Sequence, residues 1–304
     1  MLTIHHRTVK DPRVEVIPVV KVGCWINVVD PTKDEVTFLT QLGLLPENID
    51  DALDPDELPR VEVKDDRVYI ILNTPFEENG VIRKIPLLLV IFHEFLVTIC
   101  KHNLDFIPGL LSDRNVFTTQ KAKNVLQICL KVTEAFTQRI RRIDKSMAIK
   151  RGNLTRLTEN DIIGMVELEE VLNEFNSSLV AQIGVFQKIL SSRSIEFFKN
   201  DKELTEDLII DSRQCQDMCS TSLKTINNIR EAYSAILTNN LNRVIKFLTS
   251  LTALLAVPTI VSSMFGMNVP LPLSEHPMAF GFIALLTILL MSGAIVFFYF
   301  KRWL

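Results

Sequence analysis

An amide side chain closes a long apolar segment near the end of this chain. Residues 243–268 form the segment, which carries no charge after Lys246 and ends in Gly266, Met267 and Asn268. Mg²⁺ holds its water shell tightly and demands octahedral geometry. If several copies of the chain met around one axis, their amide oxygens would form a ring. Such a ring can hydrogen-bond the water shell without stripping it and, being uncharged, can also release the ion. Asn268 is therefore the first candidate for chemistry.

A face of polar and small side chains runs through the same segment. Its members follow one another by three or four residues, as side chains on one side of a helix do. This predicted pore face consists of Asn242, Ile245, Thr249, Thr252, Ala256 and Thr259, with Leu248 beside Thr249 on its edge. Two interpretations stay open. Such residues commonly pack membrane helices together, or they line a pore with an apolar collar at Ile245 and Leu248 that gates by dewetting.

Two apolar runs are available to hold these residues in a membrane. The first, ending at Phe265, is long enough to cross a bilayer as a helix. The second, 278–300, follows almost at once and is also uncharged. A helical hairpin is expected, because a spanning backbone must satisfy its own hydrogen bonds.

Basic residues predict the orientation of this hairpin. Arg243 and Lys246 flank the first run and Lys301 and Arg302 follow the second, whereas the linker 269–277 has no Lys or Arg. The N-terminal residues lack the apolar stretch of a signal peptide. We therefore expect a multi-pass plasma-membrane protein with both termini in the cytoplasm and the linker outside.

The chain upstream has the composition of a charged globular protein. Runs rich in Val and Ile at 12–30 and 59–100 predict strands, with hairpin turns at 64–66 and 78–80. Short helices are predicted after Pro31 and from Pro46. Strands with helices around them predict an α/β layer domain.

Helical spacing dominates the rest of the chain. Apolar stripes at 125–147 and 162–190 predict an antiparallel helix pair. A third pattern begins near Leu204, and no Pro or Gly occurs between it and Pro258. Stalk and first span are thus expected to be one helix of about 60 residues, roughly 90 Å long. Since such a helix cannot bury its apolar stripe alone, the pattern implies an oligomer around a shared axis.

These patterns divide the chain into seven segments and predict an α+β membrane protein. The stalk helix is expected to continue into the first of two C-terminal transmembrane helices. The segments are a cytosolic α/β/α domain (1–115), an antiparallel helical pair (116–203), a stalk helix (204–243), a first transmembrane helix ending in Gly-Met-Asn (244–268), an external loop (269–277), a second transmembrane helix (278–300) and a basic cytosolic C-terminus (301–304).

The tail resembles a known family. NRVIKFLTSLTALLAVPTIVSSMFGMN, followed by a short loop, a second span and KRWL, is similar to the CorA family of magnesium and cobalt transporters. The segment ALDPDELPRVEVKDDRVYIIL is also similar to that family, so the resemblance covers nearly the whole chain. It implies a homopentamer with a cytosolic funnel and a selectivity ring of Gly266, Met267 and Asn268. It further implies passive flow of hydrated Mg²⁺, with Co²⁺ and Ni²⁺ admitted, and no organic cofactor.

The resemblance also implies regulatory Mg²⁺ between cytosolic subunits, closing the pore when the cell is replete. Candidate ligands are acids on the stalk, Glu206, Asp207 and Asp211, and Glu77 and Glu78 in the loop after a strand. Solvated surface acids are the competing interpretation of all five. The loop after the motif departs from the family's usual sequence, with only Glu275 and His276 as ionisable groups.

Three functions remain to be distinguished. A Mg²⁺ channel is favoured over a Zn²⁺ transporter of the same architecture, whose relatives usually depart from Met at position 267. A membrane-anchored metal sensor is the third possibility. The polar face argues against it, because polar groups in lipid are costly and a simple anchor would give them no role. Phosphate loops, nucleophile elbows and ligand-spaced His clusters are missing from the sequence, so neither an enzyme nor a nucleic-acid partner is expected. Cys215 and Cys219 could share a metal, but packing of small apolar side chains is the favoured interpretation.

Overall fold

The computed structural model describes residues 1–191, 199–268 and 277–303. The chain forms two compact units, Met1–Ile229 and Arg230–Leu304. Their boundary falls inside a single helix, Lys199–Phe265. The predicted external loop, including Glu275 and His276, lies outside the described residues except for Pro277.

A mixed sheet organises the first unit. Its strands are β1 (Leu2–His6), β2 (Glu15–Val16), β3 (Trp25–Val29), β4 (Arg60–Lys64), β5 (Arg67–Glu78), β6 (Val81–Ile91) and β7 (Leu96–Cys100). The seven strands lie in the order β2-β1-β3-β7-β6-β5-β4. Strands β3 and β7 pair in parallel, with Trp25 opposite Leu96, and the other neighbours pair antiparallel.

The two hairpin turns lie where the sequence predicts them. Asp65 and Asp66 connect β4 to β5 with φ angles of 52° and 59°, and Asn79 and Gly80 connect β5 to β6 with φ angles of 52° and 81°. Positive φ at both central residues is the geometry that suits the twist of a two-residue hairpin. The prediction of strands across 12–30 is correct only in part. That region forms β2 and β3 with loops between them, and β1 at the N-terminus was not predicted.

Helices cover both faces of the sheet. Helices α1 (Lys33–Gln41) and α2 (Pro46–Asp51) pack on one face, and α3 (Phe106–Ser112) and α4 (Lys121–Gly152) on the other. Alternate strand residues serve the two cores, with Ile71 facing one and Leu72 the other. Burial on both sides explains why β5 and β6 read as continuous apolar runs. The predicted α/β/α domain is confirmed.

Helix α4, helix α5 (Glu159–Ser191) and the first part of α6 (Lys199–Phe265) complete this core. The ring of Phe136 meets that of Phe175 at 4.9 Å, and Lys150 pairs with Asp161 at 3.2 Å near the connection. From the first of these contacts to the second, the residue number increases on α4 and decreases on α5. The two helices are therefore antiparallel, as predicted. Every predicted core position of α4 between Val125 and Met147 is buried.

Two long apolar helices form the second unit. The last part of α6 runs without interruption to Phe265 and contains Pro258, and α7 spans Ala279–Phe300. Both are long and apolar enough to cross a membrane. The predicted continuity of the stalk with the first of two spans is confirmed.

Candidate ion pathway and regulatory acids

Part of the predicted pore face lies on the uncovered side of α6. Leu248 is 60% exposed, whereas Ser250 is 0% exposed. A helix advances roughly 100° per residue, so Leu248, Thr252 and Thr259 lie about 160–200° around the axis from Ser250. These three positions are opposite the covered face, whereas Ala256 is half-buried.

Helix α7 shows one less exposed stripe as well. Its members are Ala279, Ile283, Thr287, Met291, Ala294 and Phe298, at spacings of three and four residues. In a unit of two helices, the covered stripes are the faces through which the hairpin packs. Small residues such as Ser250 and Ala294 on these stripes let backbones approach closely. Packing inside the hairpin thus does not use the Thr face.

The hydroxyls of the pore face are oriented by their own helix. Thr252 Oγ1 donates to the Leu248 carbonyl at 2.9 Å, and Thr259 Oγ1 donates to the Leu255 carbonyl at 3.0 Å. A hydroxyl that has spent its proton in this way offers only lone pairs to a further partner. Outward-facing acceptors suit the water protons that surround a cation.

The Gly-Met-Asn motif lies directly beyond α6. The Gly266 amide donates to the Ser262 carbonyl at 2.9 Å, and a Cβ at this position would lie 3.1 Å from the same oxygen. Met267 is 56% exposed, and Asn268 is also exposed. The Asn268 side chain therefore lies just beyond the end of α6 and is exposed.

One residue of this face was missed by the sequence analysis. Ser263 follows Thr259 by four residues and is exposed. The spacing rule that identified the other members extends to it, so the signal was present in the sequence. With Ser263 included, the hydroxyl side chains of the predicted pore face extend closer to Asn268.

The regulatory acids occupy different environments. Glu206, Asp207 and Asp211 are exposed on α6. Asp211 lines a cavity of about 290 Å³ between α4 and α6, together with Glu134, Gln138 and Arg141. Within the described residues, no group of three or more His, Cys, Asp or Glu side chains is arranged to hold a metal ion.

The predicted location of Glu77 and Glu78 is wrong, since both lie inside β5 rather than in a loop. Glu77 accepts hydrogen bonds from Arg139 and from Arg142, the latter at 2.9 Å. Arg139 and Arg142 lie 62 and 65 positions after Glu77 in the chain, so local spacing could not predict this pairing. Because two guanidinium groups already neutralise Glu77, a cation would have to displace them.

The two stalk cysteines behave as packing residues. Cys215 and Cys219 are both buried, and Cys219 Sγ donates to the Leu172 carbonyl at 3.1 Å. Burial raises the pKa of Cys219 to about 12. Metal binding needs the thiolate, which this environment disfavours.

A sheet domain joined by one long helix to an apolar hairpin, with a hydroxyl face leading to an exposed amide, defines a membrane transport protein. The sequence model of the CorA-like Mg²⁺ transporter protein family matches residues 20–302. The chain belongs to this family.

Individual relatives agree over nearly the full length. The cobalt/magnesium transport protein CorA of Methanocaldococcus jannaschii is 25% identical over 287 residues, covering 90% of this chain and 89% of the relative. The magnesium transport protein CorA of Helicobacter pylori is 21% identical over 294 residues, covering 92% and 90%. The complete structure of the M. jannaschii CorA magnesium transporter superposes with a TM-score of 0.88 at 20% identity, covering 100% of this chain and 99% of that one.

Proposed function

We propose that this chain forms a homopentameric channel through which hydrated Mg²⁺, and also Co²⁺ and Ni²⁺, enter the cell. Membership of the family and the names of two relatives support the choice of ion. The observation that carries the proposal is the exposed hydroxyl face of α6, which points away from α7 and leads to Asn268. A helix that served only as an anchor would have no need of it.

Five copies around one axis would turn each position of this face into a ring. Threonine oxygens accept hydrogen bonds from the water shell, and Ile245 and Leu248 form an apolar collar that dewets when it narrows. At the outer end, five Asn268 amides hold the hydrated ion without removing its water. In this arrangement both chain termini are cytoplasmic and residues 269–277 face the exterior.

Regulation would use Mg²⁺ bound between subunits. Carboxylates that face each other across an interface repel, so a closed ring is favoured when cations lie between them. Asp207 and Asp211 are exposed on α6 and are our candidates on the stalk, with Glu206 beside them. Glu78 is the favoured partner on the neighbouring subunit, because Glu77 is offset by Arg139 and Arg142.

Ion flux into proteoliposomes tests the proposal. The purified chain is reconstituted, and uptake is compared for Mg²⁺, for Zn²⁺ and in empty vesicles. We expect Mg²⁺ flux well above the empty vesicles. Flux of Zn²⁺ without Mg²⁺ would instead identify a zinc transporter, and flux of neither ion would leave a membrane-anchored sensor.

A further inference from the structure

Helices α4 and α5 carry opposite charge. Helix α4 has nine basic and two acidic side chains, whereas α5 has six acidic and one basic. Some of these charges are used inside the chain. Lys150 meets Asp161 at 3.2 Å, and the ion pairs on α4 also include those of Lys131, Arg139 and Arg142. Several of the others point away from the shared core.

Each helix exposes a patch with apolar side chains among these charges. The basic face of α4 is Arg141, Lys145 and Ile149, and Ile149 is 63% exposed. The acidic face of α5 is Ile163, Val166, Glu167 and Glu170, with Ile163 and Val166 53% and 47% exposed. Across the described parts of the chain, none of these four charged side chains makes an ion pair.

An apolar centre with a charged rim is the anatomy of a protein interface. Two different patches of one chain that complement each other give a head-to-tail contact, which closes into a ring when the rotation allows. We propose that the basic face of α4 on one copy docks against the acidic face of α5 on the next copy. This inference rests on the proposed homo-oligomer and names a contact that holds its cytosolic parts together.

A second copy fits these patches better than a membrane surface does. An anionic bilayer would attract Arg141 and Lys145 but would repel Glu167 and Glu170. Only another copy of the chain offers the opposite charge to both faces at once. Both patches also carry exposed aliphatic side chains, Ile149 on α4 and Ile163 and Val166 on α5, which the contact would bury against each other.

Cysteine cross-linking tests the contact, and the native thiols do not interfere. All five are buried, and burial raises the pKa of Cys129 and Cys219 to about 12. Two differently tagged full-length chains, one carrying I149C and the other V166C, are co-expressed and treated in membranes with a short bis-maleimide. Because each chain has one added cysteine, a product carrying both tags must join two copies.

We expect this mixed product, and no product from either variant alone. The matched control pairs I149C with V81C, since Val81 is 51% exposed on another element. Reversing the basic face (R141E with K145E, in the I149C chain) should lower the yield by about tenfold. Adding E167K with E170K in the V166C chain should restore it, which a misfolded variant could not do.

Four results would overturn the inference. Cross-linking of I149C chains to one another would indicate a symmetric contact of a different kind. Protection of I149C by vesicles rich in anionic lipid, with no mixed product, would assign the basic face to a membrane. A missing mixed product while T259C chains still cross-link to one another would refute this contact but leave the proposed channel standing. If T259C chains also fail to cross-link, the proposed homo-oligomer fails with it.

Discussion

At the scale of single residues, the side chains that face the proposed ion are all neutral. Threonine hydroxyls whose protons are committed to backbone carbonyls can act as fixed acceptors, and in the proposed pentamer the Asn268 amides would add five more in a ring. A neutral ring attracts a hydrated ion weakly enough to release it, whereas carboxylates would hold it. Selectivity then depends on geometry and hydrogen bonding rather than on charge.

Replacing Asn268 by Ala should therefore abolish Mg²⁺ flux while the oligomer stays intact. One outer-shell hydrogen bond per subunit is worth about 1 kcal/mol, so losing five lowers flux by far more than tenfold. N268D should let divalent ions bind and block. Both variants are measured by Mg²⁺ uptake into proteoliposomes.

N240A is the matched control, because Asn240 is exposed on α6 but lies off the pore face. It should keep the flux of the parent. Parental Mg²⁺ flux in N268A would refute the role given to the amide.

Local periodicity predicts the helices better than their long-range contacts. The length of the apolar helices and the buried positions of α4 between Val125 and Met147 follow from it, whereas the role of Asn268 stays a prediction. The pairing of Glu77 with Arg139 does not follow from local periodicity, because it joins residues distant in the chain whose meeting depends on the packing of β5 against α4. The same holds for Arg7, a buried side chain whose guanidinium donates to backbone carbonyls of two loops.

At the scale of elements, short-range polar contacts mark where helix α5 begins and where it meets α4. Asp161 illustrates this at the start of α5. Its carboxylate accepts hydrogen bonds from the Thr158 amide at 3.0 Å and hydroxyl at 2.8 Å, and Lys150 reaches it from α4. These contacts lower the pKa of Asp161 from 3.8 to about 2.

D161A should lower the thermal midpoint of the full chain at neutral pH. Because the folded pKa is depressed, the stabilisation is fully present above the unfolded value near 3.8 and is lost as pH falls through about 2. The difference between parent and variant should therefore shrink between pH 6 and pH 2. N160A, at the exposed position beside it, should show no such pH dependence, and an unchanged difference at both pH values would contradict this account.

The stalk part of α6 is the element expected to sense Mg²⁺. Neutralising Asp207 and Asp211 together (D207N with D211N) should leave the channel open at millimolar internal Mg²⁺, because no bridging cation is then retained. Each bound Mg²⁺ favours the closed state by RT ln(1 + [L]/Kd), or ~2.7 kcal/mol at a hundred times Kd. The readouts are flux at fixed internal Mg²⁺ and protection from proteolysis by Mg²⁺.

Its control removes two exposed acids elsewhere, Glu47 and Asp50 on α2 (E47Q with D50N). That variant should close like the parent. Closure of D207N/D211N at the parental Mg²⁺ concentration would place the sensor on other residues.

At the scale of the whole molecule, we predict that transport needs neither ATP nor a coupling ion. Phosphate-binding motifs are missing from the sequence, and the proposed pathway is a row of neutral side chains rather than a set of titrating groups. Two positive charges moving down a negative-inside potential release about 4.6 kcal/mol per 100 mV. This is sufficient for accumulation by about three powers of ten.

Uptake should therefore follow the membrane potential alone. In proteoliposomes with the potential set by a potassium gradient and valinomycin, Mg²⁺ uptake should rise as the interior becomes more negative, without ATP. Collapsing a proton gradient at constant potential should change nothing. Loss of flux in that condition would indicate coupling to protons.

Pro258 makes helix α6 easier to bend at one position, whereas the regular hydrogen bonds elsewhere along the helix keep it stiff. It lies inside α6 and has no amide proton, so the Leu254 carbonyl lacks the donor that a helix normally supplies. Helix α6 therefore lacks one backbone hydrogen bond at Pro258, and its bending stiffness is lowest there. In the proposed pentamer, bending at Pro258 would let the five Asn268 side chains keep their positions in the ring while the rest of α6 tilts.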